Sequence, residues 1–330
     1  MDKKLINNLK SHSVIKRYSE NPILTAKDVP YKSALVFNAG VTKYQGRYVM
    51  VFRNDYGSVE ERRLDGTNLG LAFSDNGINW EVESKPFLEI SDSEIICVND
   101  PRLTVIDGCC FITIAVITTH GVRGGIAVTE DFEDIELLSV SVPDNRNFTL
   151  FTKKIGGKYL RLERPFSYYS RAGEEQFDIW ISKSPDLKYW GNFKLLLRAE
   201  EVQFCNSKIG PGTPPLETDR GWLTLFHAVD IDTRRGKNGW EDRWQKRYTV
   251  GMMLLDPEDP SKITGICREP VMIPETEYEI SGGFRNNVIF PCAMLLEDSG
   301  EVKIYYGAAD TVECLATADV NEMLDLCKSY

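Results

Sequence analysis

A turn glycine followed by a run of aromatic and β-branched residues recurs five times along this chain. The first copy is Gly46-Arg47-Tyr48-Val49-Met50-Val51-Phe52, and the others open at Gly108, Gly157, Gly221 and Gly300. Each is followed by a second apolar run ending in polar turn residues, as in Leu71-Ala72-Phe73-Ser74-Asp75-Asn76-Gly77, and again over 126–132, 179–186, 251–257 and 314–319. Paired runs closed by such turns read as β-hairpins. Helical periodicity is missing between them, which disfavours a βαβ arrangement. Dividing 330 residues by five gives about 66 per unit, room for a four-stranded propeller blade with generous loops. The pattern predicts an all-β, five-bladed β-propeller formed by 1–330 as one domain. A β-sandwich with evenly spaced turns is the alternative it leaves. Short helices are predicted near 2–12 and 321–328.

Composition narrows the function. With 42% hydrophobic and 27% charged residues the chain has the balance of a globular protein with a sizeable core. A formal net charge of -10 opposes nucleic acid or an anionic membrane as the main partner, so any bound anion must be held by a local cationic pocket. The N-terminal stretch never builds the apolar core of a signal peptide, and a cytoplasmic location is expected. The longest apolar stretch, 109–117, is too short to span a bilayer as a helix and reads as a buried strand. Eight cysteines lack metal-ligand spacing and are expected to be reduced, mostly buried thiols. Only His12, His120 and His227 are available, which argues against a histidine-rich metal site.

Propellers gather ligand sites at one end of the channel, so the chemistry should come from residues far apart in sequence. Asp100, in Val98-Asn99-Asp100-Pro101-Arg102, is expected in extended geometry because it precedes proline. Taken alone it reads first as a turn former; the functional reading is a general acid at the channel mouth. Arg146, Arg164, Lys208 and His227 stand in apolar or turn settings at strand ends of successive blades. Individually they read as solvated charges, or as a structural pair for Glu163 and Arg164; together they suit an anion pocket. Asp310, ending the apolar strand at Ile304-Tyr305-Tyr306-Gly307-Ala308-Ala309, must face a channel or be well bonded. Tyr168, Tyr169, Trp240 and Trp244 are candidates to stack on sugar rings, with ordinary packing as the alternative for each.

Nine segments in order carry a family resemblance. They are Phe37-Asn38-Ala39-Gly40, Arg53-Asn54-Asp55, Asn99-Asp100-Pro101-Arg102, Gly157-Lys158-Tyr159 with Glu163-Arg164-Pro165, and Lys208-Ile209-Gly210-Pro211-Gly212 with Pro214-Pro215. The others are Gly221-Trp222-Leu223 with His227, Leu254-Leu255-Asp256-Pro257, Asn287-Val288-Ile289-Phe290-Pro291-Cys292, and the strand from Tyr305 to Thr311. Over nearly its whole length the sequence resembles glycoside hydrolase family 130, the mannoside phosphorylases. It departs at Ala293, where a glycine is common. The resemblance implies a five-bladed propeller in which Asp100 is the acid, Arg146, Arg164, Lys208 and His227 bind phosphate, and Asn38, Arg53 and Asp310 hold the mannose.

A lone acid suits that chemistry. An inverting hydrolase needs a second carboxylate to activate water, whereas phosphate arrives as an anionic nucleophile and needs cations to orient it. The expected reaction converts a β-mannoside and inorganic phosphate, a co-substrate, into α-mannose 1-phosphate without metal or organic cofactor. Acceptors implied by the resemblance are β-1,4-mannooligosaccharides, or mannose linked to glucose or N-acetylglucosamine, with β-1,2 relatives also known. Selectivity is expected from 168–175 and 233–244. A homo-oligomer is expected too. The rivals are a β-mannoside hydrolase on the same fold and a non-catalytic carbohydrate-binding propeller.

Overall fold

The computed structural model describes residues 9–166, 177–235, 239–240 and 245–330. Five antiparallel sheets form the five blades of a β-propeller. A short strand, β1 (Lys16–Arg17), precedes them. Blade I is β2 (Leu35–Tyr44), β3 (Arg47–Ser58), β4 (Arg63–Ser74) and β5 (Glu81–Val82). Blade II is β6 (Ile95–Ile106), β7 (Cys109–Thr118), β8 (Gly121–Thr129) and β9 (Glu136–Val140). Blade III is β10 (Asn145–Leu150), β11 (Tyr159–Pro165), β12 (Ile179–Ser184) and β13 (Gly191–Leu197). Blade IV holds β14 (Ile209–Pro211), β15 (Leu216–Thr218), β16 (Gly221–Ile231), β17 (Lys246–Leu255) and β18 (Ile263–Ile266). After a single-turn helix, α1 (Glu277–Ile280), blade V follows as β19 (Ile289–Leu296), β20 (Glu301–Ala308) and β21 (Val312–Asp319). The chain then runs through α2 (Val320–Leu326) to β22 (Lys328–Ser329).

The glycine-opened runs are the second strands β3, β7, β11, β16 and β20, and their partners are the third strands. Both faces of these strands are buried because each blade is sandwiched between two others; β11 sets an ion pair, Arg161 with Glu163, on one of its faces. Val49 and Val51 of β3 pack toward Leu103 and Ile112 of blade II, while Met50 and Phe52 pack toward Tyr305 and Leu315 of blade V. Similar cores lie between blades II and III (Phe111, Ile126, Phe148, Leu150), III and IV (Leu160, Ile181, Phe226, Met253), and IV and V (Leu225, Met252, Ile289, Ile304). Fully burying one such side chain stabilises by about 1.5–3 kcal/mol.

Ring closure is non-covalent. Strand β1 pairs with β21 as the outer strand of blade V, Lys16 opposite Thr317 and Arg17 opposite Ala316. Arg17 is fixed there by buried Glu279, with Nε 2.7 Å from Oε1, and by donation to the Ile273 carbonyl at 2.6 Å. The C-terminal helix predicted over 321–328 is α2, capped by Asp319, whose side chain accepts from the backbone of Asn321 and Glu322. Past it the chain turns extended, and β22 joins β18. Of the helix predicted over 2–12, residues 9–12 are not helical and 2–8 lie outside the described residues. All eight cysteines are free, and six of them are buried.

Candidate active site

The first strand of each blade lines the axis; β19 shifts register between Pro291 and Ala293, and in β2, β6 and β10 the ladder is interrupted by a bulge that leaves two residues unpaired. Register shifts fall between Phe37 and Gly40, between Asn99 and Arg102, and between Arg146 and Thr149. Within each bulge one residue is left-handed: Asn38 (φ 56°), Asp100 (φ 50°) and Asn147 (φ 58°). Phe37, Asn99 and Arg146 are each the last paired residue before the shift, opposite Arg53, Ala115 and Arg164. Asn38, Asp100 and Asn147 are thus one structural position repeated in three successive blades. Asn and Asp tolerate this conformation best among residues with a side chain, and a bulge re-aims its side chain. Asp100 is therefore not extended as its proline neighbour predicts; the bulge overrides that local preference, at a strain of about 1–3 kcal/mol. Gly307 of β20 permits the arrangement, because a Cβ there would collide with the Asn38 side chain.

These strands open into a polar cavity of about 240 Å³ lined by Asn38, Arg53, Asn99, Asp100, Arg146, Asn147, Arg164, Lys208, Tyr248, Arg285, Val288, Phe290 and Asp310. Seven of the eight predicted site residues meet here. The eighth, His227, lies directly behind, its Nε2 2.9 Å from Arg164 Nη1. Division of labour follows the blades. Asn38 and Arg53 come from blade I, Asp100 from blade II, Arg146 and Arg164 from blade III, Lys208 and His227 from blade IV, and Asp310 from the end of β20 in blade V.

Asp100 is gripped from three sides. The Asn38 amide donates to Oδ1 at 3.0 Å, Arg53 Nη1 approaches Oδ1 at 3.4 Å, and Arg146 Nη2 reaches Oδ2 at 2.5 Å. Burial alone would raise its proton affinity, but Arg146, Arg53, the Asn38 amide and Arg102 outweigh it and hold the carboxyl well below the usual range. Arg53 is itself positioned by a two-bond fork to Asp55, both N–O distances being 2.8 Å, and lies over the Phe37 ring. Asp310 is both well bonded and channel-facing, with Oδ2 3.0 Å from Arg285 Nη1. Its proton affinity is raised by burial, opposed by Arg285 and Arg53.

The phosphate candidates bring like charges together. Arg146 and Arg164 are direct cross-strand partners, two like charges side by side. Arg164 is 4% exposed and has no carboxylate partner among the described residues. Burial first, then the Arg146 guanidinium, pulls it down to about 9. The suggested Glu163–Arg164 pair does not form, since adjacent strand residues face opposite sides: Glu163 accepts instead from Arg161 at 2.9 Å and Asn145 at 2.6 Å. His227 is fully buried, and burial followed by Arg164, Lys208 and Arg146 pushes it far below the ordinary histidine range, so the ring is neutral. Arg146 Nε, Arg164 Nε and His227 Nδ1 are buried without a hydrogen-bond partner among the described residues. The lining carries five cations, Arg53, Arg146, Arg164, Lys208 and Arg285, against two carboxylates.

Trp240 packs edge-on against Phe284 at 5.5 Å beside Leu35 and Phe37, which favours the packing alternative for it. Tyr168, Tyr169 and Trp244 lie outside the described residues, as do 168–175 and part of 233–244. Sequence reasoning missed Asn147, Tyr248 and Arg285. Asn147 was detectable as a third Asx at the position of Asn38 and Asp100; Tyr248 and Arg285 carry no local signal.

Comparison with known proteins identifies the family. The family model of β-1,4-mannooligosaccharide phosphorylases, glycoside hydrolase family 130, matches residues 7–329. A β-1,4-mannooligosaccharide phosphorylase of Ruminococcus albus is 34% identical over 333 residues, covering 96% of this chain and 92% of that protein. A 1,2-β-oligomannan phosphorylase of Thermoanaerobacter is 30% identical, with 94% of this chain and 98% of that protein covered. The solved structure of the Listeria innocua β-1,2-mannobiose phosphorylase with β-1,2-mannobiose superposes with a TM-score of 0.79 at 26% identity, covering 94% of this chain and 98% of that one. A bulge-borne acid facing a cation-rich pocket at the mouth of a five-bladed propeller is thus found in a chain that belongs to glycoside hydrolase family 130, the mannoside phosphorylases.

Proposed function

We propose that this enzyme carries out inverting phosphorolysis of β-1,4-linked mannosides, either mannooligosaccharides or mannosyl-glucose and mannosyl-N-acetylglucosamine, giving α-mannose 1-phosphate and a shortened acceptor. Phosphorolysis of β-mannosides is the activity of its named relatives. The β-1,4 assignment is supported by the relative at 34% identity. One observation carries the phosphate reading: Arg164, a buried guanidinium without a counter-anion among the described residues, stands beside Arg146 at the cavity wall. Burying an unpaired charge is costly, and a bound anion removes that cost.

In the proposed step a phosphate oxygen, oriented by Arg146, Arg164 and Lys208 with His227 buttressing Arg164, bonds to the anomeric carbon as the bond to the acceptor oxygen breaks. A proton from Asp100 reaches the departing oxygen, directly or through the mannose 3-hydroxyl. The proton released by hydrogen phosphate on forming the ester replaces it, so the reaction balances without a further co-reactant. Arg146 and Arg53 hold Asp100 in its ionised form. Phosphate competes for Arg146 and offsets the cations, which raises the proton affinity of Asp100 when an acid is needed. Asp310, engaged by Arg285, holds the sugar and does not activate water.

The test is incubation with β-1,4-mannobiose with and without inorganic phosphate, followed by anomer-resolved NMR. The expected outcome is α-mannose 1-phosphate formed only with phosphate. Release of free mannose at an equal rate in its absence overturns the proposal in favour of hydrolysis.

A further inference from the structure

One buried guanidinium at the propeller axis has no part in the step just described. Arg102, 2% exposed on β6, forms no ion pair among the described residues and spends its donors on main-chain carbonyls of four blades. Nε donates to the Gly212 carbonyl of blade IV at 2.6 Å. Nη1 donates to Pro101 of blade II at 2.6 Å and to Asn38 of blade I at 3.3 Å, and Nη2 to Pro291 of blade V at 3.4 Å. The Phe290 ring lies against it at 5.4 Å.

Two of those carbonyls belong to the bulges that aim the acid and its amide partner. Pro101 directly follows Asp100, and Asn38 is the left-handed residue whose side chain donates to it. A left-handed bulge is strained and persists only where its surroundings hold it. On the far side of the bulge in β2, the fully buried Glu313 accepts from the Ala39 backbone at 3.1 Å. Planarity matters: a guanidinium presents several donors in a fixed fork, which a lysine ammonium of equal charge cannot reproduce.

We propose that Arg102 is a positioning residue for proton donation, clamping the Asn38 and Asp100 bulges to blades IV and V so that the carboxylate keeps its aim at the departing oxygen. The proposal rests on the reading of Asp100 as the acid. An ångström of misplacement at a reacting group costs about 10²-fold in rate. That loss should fall on proton transfer and spare phosphate binding, since Arg146, Arg164 and Lys208 take no bond from Arg102.

The experiment compares wild type, Arg102→Lys and Asp100→Asn on two substrates in phosphate: β-1,4-mannobiose, whose leaving group needs a proton, and 2,4-dinitrophenyl β-mannoside, whose leaving group does not. Arg102→Lys is expected to lose about 10²-fold in kcat on mannobiose. It should keep most of its rate on the dinitrophenyl substrate and an unchanged KM for phosphate. Equal losses on both substrates mark a merely structural role and overturn the proposal. If Asp100→Asn shows no rescue by the activated substrate, the acid reading itself falls; if Asp100→Asn is rescued and Arg102→Lys is not, only the clamp falls. Should Arg102→Lys not fold, Gly40→Ala serves, because its Cβ would press on Arg102 Cα at 2.9 Å and the Pro101 carbonyl at 3.0 Å, shifting the clamp without removing it. The same substrate split is then expected, and equal losses again refute the idea.

Discussion

Replacing Arg164 with Met should make the unliganded enzyme more stable and remove much of the stabilisation that phosphate confers. The guanidinium is 4% exposed, its Nε is unpartnered among the described residues, and its cross-strand neighbour is another arginine. Its retention in the empty protein therefore costs desolvation and like-charge repulsion with no compensating ion pair. Substituting apolar side chains of similar volume for buried ionic groups is often neutral or stabilising by about 1–4 kcal/mol. Methionine, long and flexible, fills the same channel against Gly210 and Phe177. For a chain of this size each kcal/mol moves the melting temperature by about 2 °C, so the unliganded variant should melt about 2–8 °C higher. Phosphate narrows the gap. A charge-assisted hydrogen bond contributes about 1.5–3 kcal/mol, so losing one or two weakens phosphate binding by roughly 10- to 10⁴-fold. At about 100 times the wild-type dissociation constant, phosphate should stabilise the wild type by about 2.7 kcal/mol and the variant by about 1.4 kcal/mol or less. Differential scanning fluorimetry across a phosphate titration, with sulfate as an ionic-strength control, reads both effects. A variant that melts lower without phosphate, yet keeps the full phosphate-dependent shift, refutes the argument that Arg164 is an uncompensated charge awaiting an anion.

Asp100→Asn preserves shape and removes the proton, and should lower kcat on β-1,4-mannobiose by about 10² or more, measured as mannose 1-phosphate formation; near-normal turnover discards the assignment. Glu313 gives a pH prediction. Burial, opposed by the Ala39 backbone amide and Arg102, pushes its carboxyl up to about 8, so the folded protein keeps a proton that the unfolded chain releases above the ordinary carboxyl range. With more protons bound in the folded state, stability falls as pH rises from about 5 toward 8. Glu313→Gln should flatten that slope in melting temperatures recorded from pH 5 to 9, and parallel wild-type and variant curves would contradict it.

The architecture was legible in the sequence, with a β-sandwich left as the alternative, because strands of a blade packed on both sides are runs rich in apolar residues. Those runs, opened by turn glycines, are the second strands β3, β7, β11, β16 and β20, and five of them imply five blades. The innermost strands were harder to read. β14 has only three residues, and β2, β6 and β10 are bulged and polar where they face the channel. The candidate residues were legible through family resemblance, while each one alone looked like an ordinary turn former or surface charge. How those charges are balanced depends on tertiary contacts and was not readable along the chain. Arg161, not Arg164, neutralises Glu163; Arg285, from a distant loop, engages Asp310; Arg102 ties four blades together through carbonyls that have no sequence signature. A charge acquires its role from what faces it across the channel. Closure of the ring sets that by bringing together groups as far apart in sequence as Asn38 and Asp310.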